Sequence, residues 1–247
     1  MSTPVFLIIG AAGGIGTALT HQLHARGFQL VLAGRTPAPL DALAAQVGGH
    51  ALPLDATDAD ATSAAVAHVV AEHGRLDGVV NLAGSILLKP AHLTSPAEWA
   101  QVLATNLGTA FSVVRAAAPA MTKTGGGSIV LLSTAAARLG LPNHEAIAAA
   151  KAGVTGLALS AAATYAPRNV RVNVVAPGLV ETPLSARLTA NEAGRRASEA
   201  MHPLGRLGSP DDAARVIGFL LDPANAWITG QVYGVDGGLG TVRGRAG

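Results

Sequence analysis

Between residues 4 and 27 the chain reads PVFLIIGAAGGIGTALTHQLHARG, and few folds accept that order of residues. Val5 to Ile9 is an unbroken apolar run rich in β-branched side chains, the pattern of a parallel strand buried on both faces. Gly10, Gly13, Gly14 and Gly16 follow, and then Leu19 and Leu23 at helical spacing. A strand, a glycine turn and a helix start place unpaired N–H groups and a positive dipole end where a diphosphate can sit. Glycine is required because a side chain would keep the backbone away from the phosphates. A tight turn with no ligand is the other reading of such glycines. Their place directly after a strand and ahead of a helix favours the nucleotide.

The rest of the chain repeats the alternation. Apolar runs at 29–33, 51–54, 78–82, 128–133, 170–175 and 231–235 predict six further strands. Helical patterns fall at 39–47, 59–73, 96–122 (one or two helices), 144–166 and 211–220, while 185–201 is polar and poorly patterned. The expectation is one doubly wound α/β domain of the Rossmann type over residues 1–247, with a seven-stranded parallel sheet flanked by helices. Hydrophobic residues make up 49% of the chain, enough for a sizeable core, and charged residues only 13%, which suggests that further subunits cover part of the surface. The net charge of +2 comes without any block of Lys or Arg, so no nucleic-acid footprint is read. With no cysteine, disulfides and thiolate metal sites are excluded, and no metal is expected. No secretory signal is visible. The stretch 146–166 comes nearest to a membrane span, but Lys151, Thr155, Ser160 and Thr164 interrupt it, so a closely packed helix, no membrane partner and a cytoplasmic protein are expected.

In such a sheet, ligands bind outside the carboxyl ends of the strands. Gly34 and Arg35 follow the second strand. An Asp or Glu at that point selects an unphosphorylated ribose. Here an Arg stands ready for a 2′-phosphate, which predicts NADP(H) over NAD(H). Asp55 and Ala56 follow the third strand; Asp55 either meets the adenine amino group or caps the next helix. Asn81, Ala83 and Gly84 end the fourth strand, where small residues let a cofactor lie against the backbone.

These motifs together resemble the short-chain dehydrogenase/reductase family over nearly the whole chain. GAAGGIG, with Gly10, Gly14, Ile15 and Gly16, stands where that family has TGxxxGIG, with Ile9 for the usual Thr and Ala12 for a frequent Ser. NLAG matches its NAG motif, and TNLGTAF places Asn106 at its structural and catalytic Asn. NVVAPGLVETP matches the segment after the sixth strand, which implies that Pro177, Gly178, Val180 and Thr182 hold the nicotinamide. WITGQVYGVDGG resembles the C-terminal strand that commonly builds a dimer interface. The resemblance also implies a mobile substrate lid at about 184–206, with Leu184, Leu188, Met201 and His202 as candidate substrate contacts, and a homotetramer or homodimer built on the helices within 96–122 and 144–166; a solvated surface helix with charge pairs such as Glu192–Arg196 is the other reading of the lid segment.

The catalytic set departs from the family pattern of Ser, Tyr and Lys. Lys151 is present, but Ile147 stands four residues before it, where the family has the Tyr that donates a proton. Thr134 fills the Ser position, and neither Tyr165 nor Tyr233 has a Lys four residues on. At about 100° per residue, His144 shares a helical face with Lys151. An imidazole titrates near neutral pH, so His144 is the candidate donor; otherwise it lines the pocket or caps the helix, with Asn143 as the N-cap and Glu145 turned aside. Reducing a ketone puts negative charge on oxygen and needs an acid close by. Reducing an iminium ion does not. The sequence therefore predicts an atypical NADPH-dependent oxidoreductase acting on an imine or iminium C=N bond. Two alternatives stand beside it: a carbonyl or enone reductase using His144 as acid, and a non-catalytic NADP(H)-binding protein.

Overall fold

Val5–Ile9 forms β1 with all five residues buried, because it lies inside a sheet covered by helices on both faces. The structure, a computed structural model, describes residues 3–242, so residues 1–2 and 243–247 of the expected domain lie outside the described residues. The strands are β1, β2 (Gln29–Gly34), β3 (His50–Pro53), β4 (Gly78–Asn81), β5 (Gly127–Leu132), β6 (Val170–Pro177) and β7 (Val232–Val235). They form one sheet in the order β3-β2-β1-β4-β5-β6-β7, and every pair is parallel. The order reverses direction between β1 and β4, and there a doubly wound sheet opens its ligand crevice.

Among the described residues, eight α-helices connect the strands: α1 (Gly14–Ala25), α2 (Pro37–Val47), α3 (Ala59–His73), α4 (Pro96–Leu103), α5 (Thr109–Lys123), α6 (Glu145–Tyr165), α7 (Glu192–Met201) and α8 (Pro210–Leu221). One face of the sheet buries Leu7, Val79, Ile129 and Val172 under α3, α5 and α6. The other buries Phe6, Ile8, Leu32 and Val130 under α1, α2 and α8. The side-chain alternation of a strand sends neighbours to opposite faces, so one apolar run feeds both cores.

Local chemistry sets the boundaries. Asp58 caps α3 by accepting from the N–H groups of Asp60 and Ala61, each at 2.9 Å. Gly48 and Gly74 close α2 and α3 in the left-handed region. Ser95 with Glu98, and Ser209 with Asp212, form capping boxes at α4 and α8. The helical segment expected at 96–122 is two helices joined by a π-turn, Ala104–Gly108. The Asn106 side chain bonds back to the Val102 carbonyl there. The 185–201 region, read as poorly patterned, contains a 3₁₀ turn, Ala186–Leu188, and α7, which has no buried residue and an apolar side made mostly of alanine. By length and composition α6 is apolar enough to cross a membrane, but its apolar side is spent on β6, α4 and α5.

Candidate active site

The glycine turn is built around two requirements. Gly10 has φ +84°, and its N–H donates to the Ala33 carbonyl at 2.8 Å, locking the turn to β2. A Cβ on Gly16 would lie 2.4 Å from the Gly10 carbonyl oxygen, so only glycine lets α1 start this close to the strand. No side chain caps α1, and its first turn carries no acid. Its leading N–H groups are therefore available to an anion. This cradle fits the diphosphate of a dinucleotide.

Beside the cradle a cavity of about 230 Å³ is lined by Gly10, Gly34, Arg35, Asp55, Ala56, Ala83 and Gly84. Arg35 is exposed. Asp55 accepts from the Thr57 N–H at 2.9 Å and hydroxyl at 2.7 Å, and these bonds hold its carboxyl below the usual range. The helix cap belongs to Asp58, so Asp55 stays at the cavity wall. Asn81 lies behind that wall: its side chain is buried, donates to the Thr109 hydroxyl at 3.0 Å and accepts from the Ala83 N–H at 3.1 Å. It holds the turn that presents Ala83 and Gly84.

Two further cavities open at the ends of β4, β5 and β6. One, about 170 Å³, is lined by Ile15, Asn106, Lys151, Pro177, Val180, Thr182 and Leu184. The other, about 380 Å³, is lined by His144, Leu188, Met201 and His202. Thr134, Ile147 and Gly178 line both, so the spaces adjoin. Lys151 is buried on α6 and donates to the Leu132 carbonyl at 2.9 Å; burial lowers its pKa to about 8. Asn106 is spent on structure: its amide donates to Val102 and Ser85 oxygens at 3.0 Å, and its carbonyl accepts from the Ser85 N–H at 3.2 Å. Gly84 packs so close that a Cβ there would lie 3.0 Å from the Asn106 oxygen. Thr134 is held loosely, donating to Pro177 at 3.4 Å and accepting from Ala136 at 3.3 Å.

Ile147 stands where the sequence places it, 6% exposed and packed with Val102, Ala146 and Ala150. Neither Tyr165 nor Tyr233 lines these cavities. His144 is the N-cap residue of α6, while Asn143, expected in that role, takes φ +65° one residue earlier. The His144 Nδ1 lies 2.8 Å from the Pro142 carbonyl. A carbonyl only accepts, so Nδ1 carries the hydrogen and Nε2 is left as the ring's exchangeable position. Glu145 is turned aside and accepts from the Ala91 N–H at 3.3 Å. His202 is buried and fully engaged: Nδ1 donates to Ser198 at 2.7 Å, and Nε2 accepts from the Leu179 N–H at 3.1 Å. It ties α7 to the end of β6. Thr182 packs on the glycine turn, where a Cβ on Gly14 would lie 2.7 Å from its methyl group.

Several wall residues carried no sequence signal. Ile86, Leu88, Leu141 and Leu239 supply apolar lining from loops, and Ser133 anchors α6 by donating to the Lys151 carbonyl at 2.9 Å. Loop residues have no periodicity to reveal them.

The cradle and the cavities all lie at the carboxyl ends of parallel strands, along the crevice in which a doubly wound domain takes a dinucleotide. That arrangement defines an NAD(P)-dependent oxidoreductase. Residues 10–240 match the family described as Enoyl-(Acyl carrier protein) reductase. The 3-oxoacyl-[acyl-carrier-protein] reductase FabG of Thermotoga maritima is 39% identical over 244 residues, covering 95% of this chain and 97% of that protein. A short-chain type dehydrogenase/reductase from Mycobacterium ulcerans superposes with a TM-score of 0.91 at 34% identity, covering 99% of this chain and 93% of the other. The structure of ElxO with NADP bound gives 0.90 at 27% identity, covering 96% and 99%. The chain belongs to the short-chain dehydrogenase/reductase family.

Proposed function

We propose that this protein is an NADP(H)-dependent reductase of small, apolar carbonyl compounds, with His144 as the proton donor. The observation that carries the proposal is the His144 ring, pinned through Nδ1 to Pro142 at the wall of an apolar cavity that Ile147 also lines. For the cofactor, Arg35 and the absence of an acid after β2 favour a 2′-phosphate, and the related ElxO holds NADP.

When bound, the cofactor supplies a hydride from its nicotinamide. The chain's own residues do the rest. Lys151, as a buried cation, attracts the ribose and the developing negative charge. The loosely held Thr134 hydroxyl turns to donate to the substrate oxygen. Protonated His144 gives its Nε2 hydrogen to that oxygen, while the Nδ1–H···O=C bond keeps the ring oriented. His144 is half-buried and is reprotonated from solvent. His202 and Arg187, the latter donating to the Ile86 carbonyl at 2.9 Å, hold the 184–206 lid over the cavity.

Ile147 favours a second reading, reduction of an iminium ion, which needs no donor at that place. Against it, no Asp or Glu lines either of the adjoining cavities, so a cationic substrate finds no partner charge. NADPH oxidation by the protein and its His144→Gln variant, over a panel of cyclic ketones and cyclic imines, separates the readings. Ketone turnover falls by about 10²–10⁴-fold in the variant if His144 is the acid. Imine turnover equal in both proteins, without ketone turnover, establishes the C=N reading. NADPH binding with no oxidation of any substrate leaves a non-catalytic binding protein. The partner inferred for the exposed Phe111 and Leu159, on α5 and α6, is a second copy of the chain.

A further inference from the structure

We propose that His50, His68 and Glu72 form a binding site for a divalent transition-metal ion of the zinc type, outside the active-site crevice. His50 opens β3 at the amino end of the sheet's edge strand, and His68 and Glu72 lie one turn apart on α3. His50 Nδ1 is 3.3 Å from Glu72 Oε1, and His68 Nε2 is 3.1 Å from Glu72 Oε2. One ligand atom from each of the three residues lies within 4.8 Å of the others. Tetrahedral zinc with bonds of about 2.0 Å sets its ligand atoms about 3.3 Å apart. The two imidazoles approach opposite oxygens of the one carboxylate, and rotation of side chains that are 45%, 47% and 39% exposed brings one atom from each residue to that spacing.

The surroundings add a second observation. His73 Nε2 is buried without a hydrogen-bond partner and lies 4.0 Å from Glu72 Oε2, so one carboxylate faces three imidazoles. Two imidazoles and a carboxylate suit a borderline dication with imidazole affinity. They do not suit Mg²⁺ or Ca²⁺, which take oxygen ligands. None of these residues lines the cavities at the strand ends. The ion would clamp the short edge strand β3 to α3.

The test uses the untagged full chain, stripped with chelator and titrated with zinc chloride by calorimetry and thermal unfolding. The expected result is saturable binding of one ion per chain and a rise in thermal midpoint of about 5 °C at roughly hundredfold excess over Kd. His50→Gln and His68→Gln, both at exposed positions that leave folding intact, each weaken binding by about tenfold or more and lose the shift. Absence of saturable heat, an unchanged shift in the two variants, or an equal shift with magnesium chloride overturns the proposal.

Discussion

Single side chains decide more here than the fold does. Arg35 is singled out by the sequence because one position after β2 separates an acid from a cation, and that choice follows from the charge on a ribose. The structure leaves it exposed at the cavity with Asp55, whose carboxyl is occupied by Thr57. Arg35→Ala removes a charge-assisted contact worth about 2 kcal/mol, so the KM for NADPH rises roughly thirtyfold while that for NADH barely moves. An equal change for both cofactors would remove Arg35 from phosphate recognition. Asn106 and Asn81 were legible as important, but their work was not. Each spends its amide holding a loop in place, and a motif names a residue without showing where its hydrogen bonds go. His202, expected at the substrate, lines the larger cavity and is also bonded through both nitrogens.

At the scale of elements, the strands and the long helices followed from periodicity, because a sheet covered on both faces demands unbroken apolar runs. The π-turn at Ala104–Gly108 did not, since a side chain bonding to its own helix leaves no trace in hydropathy. Nor did α7, whose apolar side is mostly alanine (Ala193, Ala197 and Ala200, with Met201) and buries no residue. α6 carries a testable cost. Burial lowers the Lys151 pKa to about 8, against about 10.4 for a lysine in an unfolded chain. Below the folded value the group is charged in both states and its burial destabilises the fold. As pH rises from about 8 towards 10.4 the folded state sheds its proton first, and the penalty is relieved. The stability of the protein relative to its Lys151→Met variant, measured by urea unfolding, therefore rises across that window. A flat difference would mean that Lys151 keeps its charge when folded.

For the whole molecule, low charge is the sequence's hint of covered surface, and the association proposed above would use the exposed apolar side chains of α5 and α6. Phe111 is 54% and Leu159 61% exposed on helices of one face, where apolar side chains gain most from a second copy. Light scattering gives a mass of at least two chains, and Phe111→Glu with Leu159→Glu lowers it; a single-chain mass for the unaltered protein would refute the association. The family membership of the chain fixes its fold and redox class, and the proposed function rests on reading Ile147 at the place of the family's tyrosine. The most direct measurement is ketone-dependent NADPH oxidation by His144→Gln with and without Ile147→Tyr. A tyrosine at 147 costs about 1–3 kcal/mol of packing but restores a hydroxyl four residues before Lys151. The account predicts that His144→Gln alone is nearly inactive and that the double variant regains turnover. Full activity in His144→Gln alone would contradict it.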